Sequence, residues 1–338
     1  MKAKDISGQA PGGKRVKLAE VLPLKTPFVI QIFPVYACNF KCKYCIFSVG
    51  KDKRGFISDR TVMDPDLYKK CVDGMLKFPE KIKLIRFVGI GEPLLHKDIV
   101  GMIRYTVSKH VAAKVELLTN ASLLTHEVSD ALLNSGLSRL VVSLQGTSKQ
   151  IYEEVCGAKI DFEGFIDNLR YFYEHKKGTE MYLKIVDTAL KDEEDKKRFF
   201  ELFGGICDTI AVEHTVPIHS GIDYTNILEK NRKKVTQFGL PVEELDVCSQ
   251  PFFTMQINPD GKVVPCYSFE YPGIMGDFNK EDICEIWNGR KFTEFRRNML
   301  EGMKNAGETC KNCNISRFRS FPEDSLNKDR ERLKRFYK

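Results

Sequence analysis

Hydrophobic and polar positions follow two alternating rhythms over the first 214 residues. Short runs of apolar, β-branched and aromatic residues at 28–33, 83–88, 114–119, 139–144, 181–186 and 208–214 read as buried strands. Between them the apolar positions take helical spacing. Asp64 and Pro65 offer an N-cap and a first-turn proline ahead of Leu67, Cys71, Met75 and Phe78. Ile99, Met102, Ile103 and Val107 mark the next helix. Thr125 caps one that carries Val128, Leu132 and Leu133 and stops at Gly136. Phe162, Phe165, Ile166, Leu169, Phe172 and Tyr173 form the stripe of a core-facing helix, and another surrounds 196–203. Six strands alternating with helical stretches predict an α/β fold with a parallel sheet and right-handed crossovers. Periodicity alone permits an open doubly wound sheet or a β/α barrel.

The rhythm changes after residue 220. The charged run Glu229-Lys-Asn-Arg-Lys-Lys234, followed by Gly239 and Pro241, marks a domain boundary. Beyond it, apolar runs at 253–258 and 262–266 flank Pro259-Asp-Gly261 as a β-hairpin. One helix is expected from Ile283 through Phe295 to Met299, which makes this a small α+β unit. There is no internal repeat.

Composition narrows the classes. Of 338 residues, 42% are hydrophobic and 29% charged, ordinary for a globular protein. The net charge of +7 sits at the ends: 1–20 carry five Lys/Arg against two acids, and 326–338 carry six against two. The body between is neutral, which argues against nucleic acid as partner. The N-terminal stretch has no apolar signal core, and no run reaches the roughly 18 apolar residues of a membrane span. A cytoplasmic protein with no membrane partner is expected.

Eleven cysteines without a secretion signal argue against a disulfide framework. Cys38, Cys42 and Cys45 stand at C-x3-C-x2-C spacing just after the first strand. Three thiolates are too few for a structural zinc tetrahedron and fit a 4Fe–4S cube with one iron left open. Cys248, Cys266, Cys310 and Cys313 form a second set, C-x12-G-x4-C and then C-x2-C, which suits zinc or iron–sulfur. Cys71, Cys156, Cys207 and Cys284 are isolated and read as small buried hydrophobes. His214 and Glu213 are placed at a strand end as weak substrate contacts.

The first cysteine loop resembles the signature of the radical S-adenosylmethionine (radical SAM) superfamily, C-x3-C-x-aromatic-C, with Tyr44 as the aromatic residue. Gly89-Ile-Gly-Glu-Pro93 resembles that family's second signature, although Ile90 departs from its usual Gly-Gly-Glu-Pro form. The hairpin with its four cysteines resembles the SPASM/twitch extension, in the short form that ends at Cys313. The resemblance implies a partial (β/α)6 TIM-like barrel with a small C-terminal twitch/SPASM-like domain. It divides the chain into an N-terminal extension (1–27), the barrel (28–240), the auxiliary domain (241–320) and a solvated basic tail (321–338). The implied cofactors are S-adenosylmethionine (SAM), a 4Fe–4S cluster on Cys38, Cys42 and Cys45, and an auxiliary 4Fe–4S cluster on Cys248, Cys266, Cys310 and Cys313. Gly89, Gly91, Glu92, Asn120 and Ser143 occupy positions that contact SAM in the family, with Glu92 on its amino group.

The implied activity is reductive cleavage of SAM to a 5′-deoxyadenosyl radical that takes a hydrogen atom from substrate. Dehydrogenation of a small polar alcohol, sugar-like or cyclitol-like, is the expected outcome. An epimerase drawing on Cys156 or Cys284 as hydrogen donor and a peptide maturase are the alternatives, and 1–27 are too short for a leader-recognition domain. A zinc-ribbon interaction protein is the alternative of another class. A small-molecule substrate and a reducing donor such as flavodoxin or ferredoxin are the expected partners.

Overall fold

Six predicted strands lie side by side in the computed structural model of this chain, which describes every residue except 1, 10, 12–14, 51–53, 55–59, 220, 229–234 and 268–270. From edge to edge the sheet runs β1 (Lys4–Asp5), β7 (Thr209–Glu213), β6 (Glu180–Val186), β5 (Arg139–Leu144), β4 (Ala112–Thr119), β3 (Ile82–Phe87), β2 (Val29–Ile32), β8 (Thr254–Ile257), β9 (Lys262–Val264) and β10 (Gly276–Asp277). Strands β2 to β7 are parallel and in sequence order, the arrangement of a partial barrel rather than of a doubly wound sheet. Both ends stay open to further pairing, and β1 and β8 take those places.

The crossover helices form where the apolar stripes predict them. Pro65–Met75 is capped by Asp64, whose side chain accepts from the backbone N–H of Asp66 and Leu67. Tyr68, Cys71, Val72 and Met75 of that helix are buried against the sheet. Phe162–His175 buries Phe165, Leu169 and Phe172.

The hairpin does not stand apart from the barrel. β8 pairs in parallel with β2, Val29 opposite Thr254 and Ile32 opposite Ile257, and β9 returns antiparallel. The cysteine-bearing unit thus extends the barrel's own sheet. The expected single helix over 283–299 is two, Ile283–Asn288 and Arg290–Leu300. The break falls at Gly289, where a Cβ would come within 2.6 Å of the Glu285 carbonyl oxygen. The charged run 229–234 lies outside the described residues.

Both chain ends depart from expectation. The described residues of the N-terminal extension are built into the body: Lys4 and Asp5 pair with Thr209 and Ile210, while Leu18, Ala19 and Leu22 are buried. Residues 321–338 are not a solvated tail, since Leu326, Leu333 and Tyr337 are buried and Arg332 donates to the Ala19 carbonyl at 2.8 Å. Each buried leucine contributes about 1.5–3 kcal/mol, which outweighs the weak preference of the intervening charges for a free tail. No helix among the described residues is long and apolar enough to cross a membrane.

Candidate active site

The C-terminal strand ends converge on a cavity of about 230 Å³. Its walls contain Cys38, Cys42, Cys45 and Tyr44 from the loop after β2, and Gly89, Gly91 and Glu92 from the loop after β3. Asn120 follows β4, Ser143 lies in β5, and Glu213 and His214 end β7. Every residue singled out around the first cysteine set therefore faces one space. In β/α barrels this is the face where chemistry is placed.

The cysteine loop is held from below by the helix Lys149–Cys156. Lys41 and Lys43 donate their backbone N–H groups to the carbonyls of Cys156 and Val155, both at 2.9 Å. These carbonyls belong to the last helical turn and would otherwise lack partners. Gln145 closes the loop from the side, accepting from the Tyr44 hydroxyl and from Cys42 Sγ at 3.4 Å. Burial and the charges of Glu92 and Cys45 push the Cys38 thiol up to about 12. A hydrogen bond donated to Cys156, burial and the neighbouring Cys45 and Cys38 hold the Cys42 thiol up as well.

The loop Gly89 to Pro93 packs directly on this segment. A Cβ at Gly91 would stand 2.2 Å from the Val35 carbonyl oxygen, and one at Gly89 would stand 2.7 Å from the Phe33 ring. Glycine is therefore required at both positions. The Glu92 backbone N–H then reaches the Ala37 carbonyl at 2.8 Å.

Glu92 is 2% exposed. Its carboxylate accepts from Leu94 N at 3.0 Å, Thr119 Oγ1 at 2.5 Å and Asn120 N at 2.7 Å. Burial nevertheless pushes its pKa up to about 7. Three donors leave one lone-pair site, and among the described residues no cationic side chain pairs with it. A buried carboxylate facing a cavity without its own cation fits an incoming ammonium group. Asn120 also donates from Nδ2 to Asn39 Oδ1 at 3.0 Å.

Glu213 and His214 differ in kind. Burial raises the Glu213 pKa, but Lys184 at 2.7 Å, Gln237 at 2.7 Å and Arg319 outweigh it and hold the carboxyl below its usual value. Its oxygens are occupied. His214 donates from Nδ1 to Asp187 at 2.7 Å, and its side chain is about one-third exposed. The carboxylate fixes the orientation of this imidazole on the cavity wall.

The second set of cysteines comes together beside the first cavity. Burial pushes up the Cys248, Cys266 and Cys310 thiols, and Cys313 raises all three further. Cys266 is followed by Tyr267, which lines the cavity and meets Phe33 at a ring distance of 5.7 Å. Among the described residues no three His, Cys, Asp or Glu side chains approach closely enough to share a single ion. Thiolates are soft ligands of the kind that iron–sulfur clusters use. The donor sets fit iron–sulfur clusters.

The spare cysteines do not border the cavity. Cys156 is fully buried behind Cys42 and donates to the Tyr152 carbonyl at 2.9 Å, and Cys284 sits against Lys77 and Asn288. Sequence reasoning missed Gln145, Lys184, Asp187, Gln237 and Arg319. A lysine inside the apolar run 181–186 was the available signal, because a charged residue at an inward position of a strand needs a partner.

Comparison with known proteins identifies relatives of both cysteine-bearing regions. A family model described as the radical SAM superfamily matches residues 32–199, and one described as an iron–sulfur cluster-binding domain (SPASM) matches 248–314. The S-adenosyl-L-methionine-dependent 2-deoxy-scyllo-inosamine dehydrogenase of Niallia circulans is 28% identical over 280 residues, covering 82% of this chain and 88% of that protein. A tungsten-containing aldehyde ferredoxin oxidoreductase cofactor-modifying protein of Pyrococcus furiosus is 26% identical, covering 77% and 80%. The crystal structure of BtrN with AdoMet and 2-DOIA superposes with a TM-score of 0.55 at 26% identity, over 85% of this chain and 92% of that one. Native anSMEcpe with bound AdoMet shares the fold, with a TM-score of 0.61 at 16% identity, over 92% and 96%.

Proposed function

Because this chain belongs to the radical SAM superfamily and carries a SPASM-type domain, we propose that it oxidises an alcohol of a small polyol to a carbonyl. Its cofactors are SAM, a 4Fe–4S cluster and an auxiliary iron–sulfur cluster. In this reading Cys38, Cys42 and Cys45 hold the first cluster, and Cys248, Cys266, Cys310 and Cys313 hold the auxiliary one. Glu92 takes the SAM ammonium on its remaining lone pair, and Asn120 and Ser143 offer polar groups to the rest of that ligand. Bound there, these groups supply hydrogen-atom abstraction from the carbinol carbon and an acceptor for the electron left behind.

The protein's own part is to bind, orient and deprotonate. The observation that carries the proposal is the His214–Asp187 pair on the cavity wall. Oxidation of an alcohol requires the hydroxyl proton to leave, and this imidazole, fixed by its carboxylate, is the base for it. Glu213 positions Lys184 and Gln237 rather than taking the proton. The dehydrogenase relative supports the same reaction class. Neither Cys156 nor Cys284 lines the cavity, so neither spare thiol stands among the described lining residues as the hydrogen donor an epimerase needs.

The test offers a panel of carbinol-deuterated polyols and cyclitols to the anaerobically reconstituted, reduced enzyme with SAM. Deuterium in 5′-deoxyadenosine together with a product two hydrogens lighter is expected. A product of unchanged formula bearing a solvent-derived hydrogen would overturn the proposal.

A further inference from the structure

Beneath the first cavity lies a second of about 440 Å³, inside the barrel. Leu118, Lys184, Glu213, Gln237, Tyr267 and Arg319 line both. Barrel interiors are ordinarily filled by layers of branched apolar side chains. Here strands β2 to β5 bring Gln31, Arg86, Glu116 and Arg139 into register as one polar row. Such a row resists collapse, because each member needs a polar partner.

The charge of this interior is unbalanced. Among the described residues, six lining side chains are cationic and three are carboxylates. Each carboxylate is already matched: Asp324 by Arg15 at 2.6 Å, Glu116 by Arg86 at 2.6 Å, and Glu213 by Lys184 at 2.7 Å. Three cations remain. Lys83 lies over the Phe28 ring, and Arg139 divides itself between Glu116 at 3.7 Å and Glu180 at 3.2 Å.

Arg319 is the surplus cation that lines both cavities, and it makes no ion pair among the described residues. Its Nε donates to Gln237 Oε1 at 2.6 Å, and its guanidinium carbon lies 5.0 Å from the Tyr267 ring centre. Gln237 is fixed in turn by a hydrogen bond that its Nε2 donates to Glu213 Oε2 at 2.7 Å. The two terminal guanidinium nitrogens have no hydrogen-bond partner among the described residues. A held guanidinium with a free fork matches the geometry of a carboxylate or phosphate.

We propose that the substrate is an anionic polyol whose carboxylate or phosphate seats on the Arg319 fork. The inference rests on the reading of these cavities as the substrate site. The anion is held at the shared wall, which leaves the hydroxyl-bearing carbons on the side of His214 and Glu92.

The test is calorimetric binding to the full-length, cluster-reconstituted, SAM-loaded but unreduced protein, with glucose, glucosamine, glucuronate and glucose 6-phosphate as probes. At least one anion is expected to bind about tenfold or more tightly than glucose, with glucosamine weakest. Glucuronate against glucose 6-phosphate decides between carboxylate and phosphate. Arg319→Gln should reduce the preferred anion to the level of glucose, and Arg319→Lys should retain part of the preference. Iron content and SAM affinity of both variants report that the site remains folded. Glucose or glucosamine binding as well as the anions, neither anion binding at millimolar concentration, or an anion preference that survives Arg319→Gln would overturn the inference. No turnover is needed, so a failure of the oxidation reading would show separately in the product assay.

Discussion

His214 Nδ1 and a carboxylate oxygen of Asp187 stand 2.7 Å apart, joining the turn after β6 to the end of β7. A carboxylate only accepts, so Nδ1 carries the proton and Nε2 is left as the basic nitrogen. His214→Gln is expected to lower formation of the oxidised product by about a hundredfold to ten-thousandfold. Asp187→Asn should lower it less, because the imidazole survives with its tautomer no longer fixed. Both are checked by product quantification beside a SAM-binding isotherm, which should not move. Full activity in His214→Gln would remove it as the base.

Glu92 makes the metal-free protein's stability pH-dependent. Its folded pKa, about 7, lies above the ordinary carboxylate value of 4.5 that serves as the unfolded reference. The folded state therefore holds the proton more tightly, and this stabilisation is present below pH 4.5 and lost as pH rises through 7. The loss amounts to about 3 kcal/mol at one pKa unit per 1.36 kcal/mol. Urea denaturation of wild type and Glu92→Gln should show the difference between acidic and neutral pH shrinking in the variant. Glu92→Gln should also weaken SAM binding by about ten- to a hundredfold, with iron content unchanged.

Two separate thiol sets predict separable iron. Reconstituted wild type should carry about eight irons per chain. Replacing Cys38, Cys42 and Cys45 by Ala should remove about half and abolish SAM cleavage. Replacing Cys310 and Cys313 should remove the other half while deuterium transfer into 5′-deoxyadenosine persists and oxidised product falls. Iron and sulfide assays with the labelled-substrate experiment check this, and stoichiometric zinc in place of iron would contradict it.

Arg15 clasps Asp324 with two contacts of 2.6 Å, tying the N-terminal segment to the C-terminal one. Burial raises the Asp324 pKa against the pull of Arg15. Arg15→Ala leaves that carboxylate unpaired and should destabilise the protein by about 2 kcal/mol, below the roughly 3–5 kcal/mol of a broken fully buried pair because Arg15 is partly exposed. The double variant with Asp324→Asn should recover part of the loss in thermal denaturation. An Arg15→Ala melting curve that overlays wild type would show that the clasp does not hold the ends.

What the sequence by itself determined is local. The cysteine spacings, the Gly89-to-Pro93 turn and the six strand runs are set by residues within a few positions of each other. Backbone periods of 2 and 3.6 and the stereochemistry of glycine act at that range. The same locality explains why the shared placement of Glu92, Asn120, Ser143 and His214 around one cavity was legible: each sits at or just beyond a strand end, and strand ends of a parallel sheet share one face. Tertiary structure alone decided which distant groups meet. Arg319 reaches Gln237 across 82 positions and Arg15 reaches Asp324 across 309. Neither contact leaves a mark in spacing or periodicity, because burial in a common space chooses the partners. The same holds for the two chain ends, whose charges read as solvated while Leu18, Leu326 and Leu333 drew them into the body. Sparse apolar residues among charges bury only when a complementary surface exists, and the folded barrel supplies that surface.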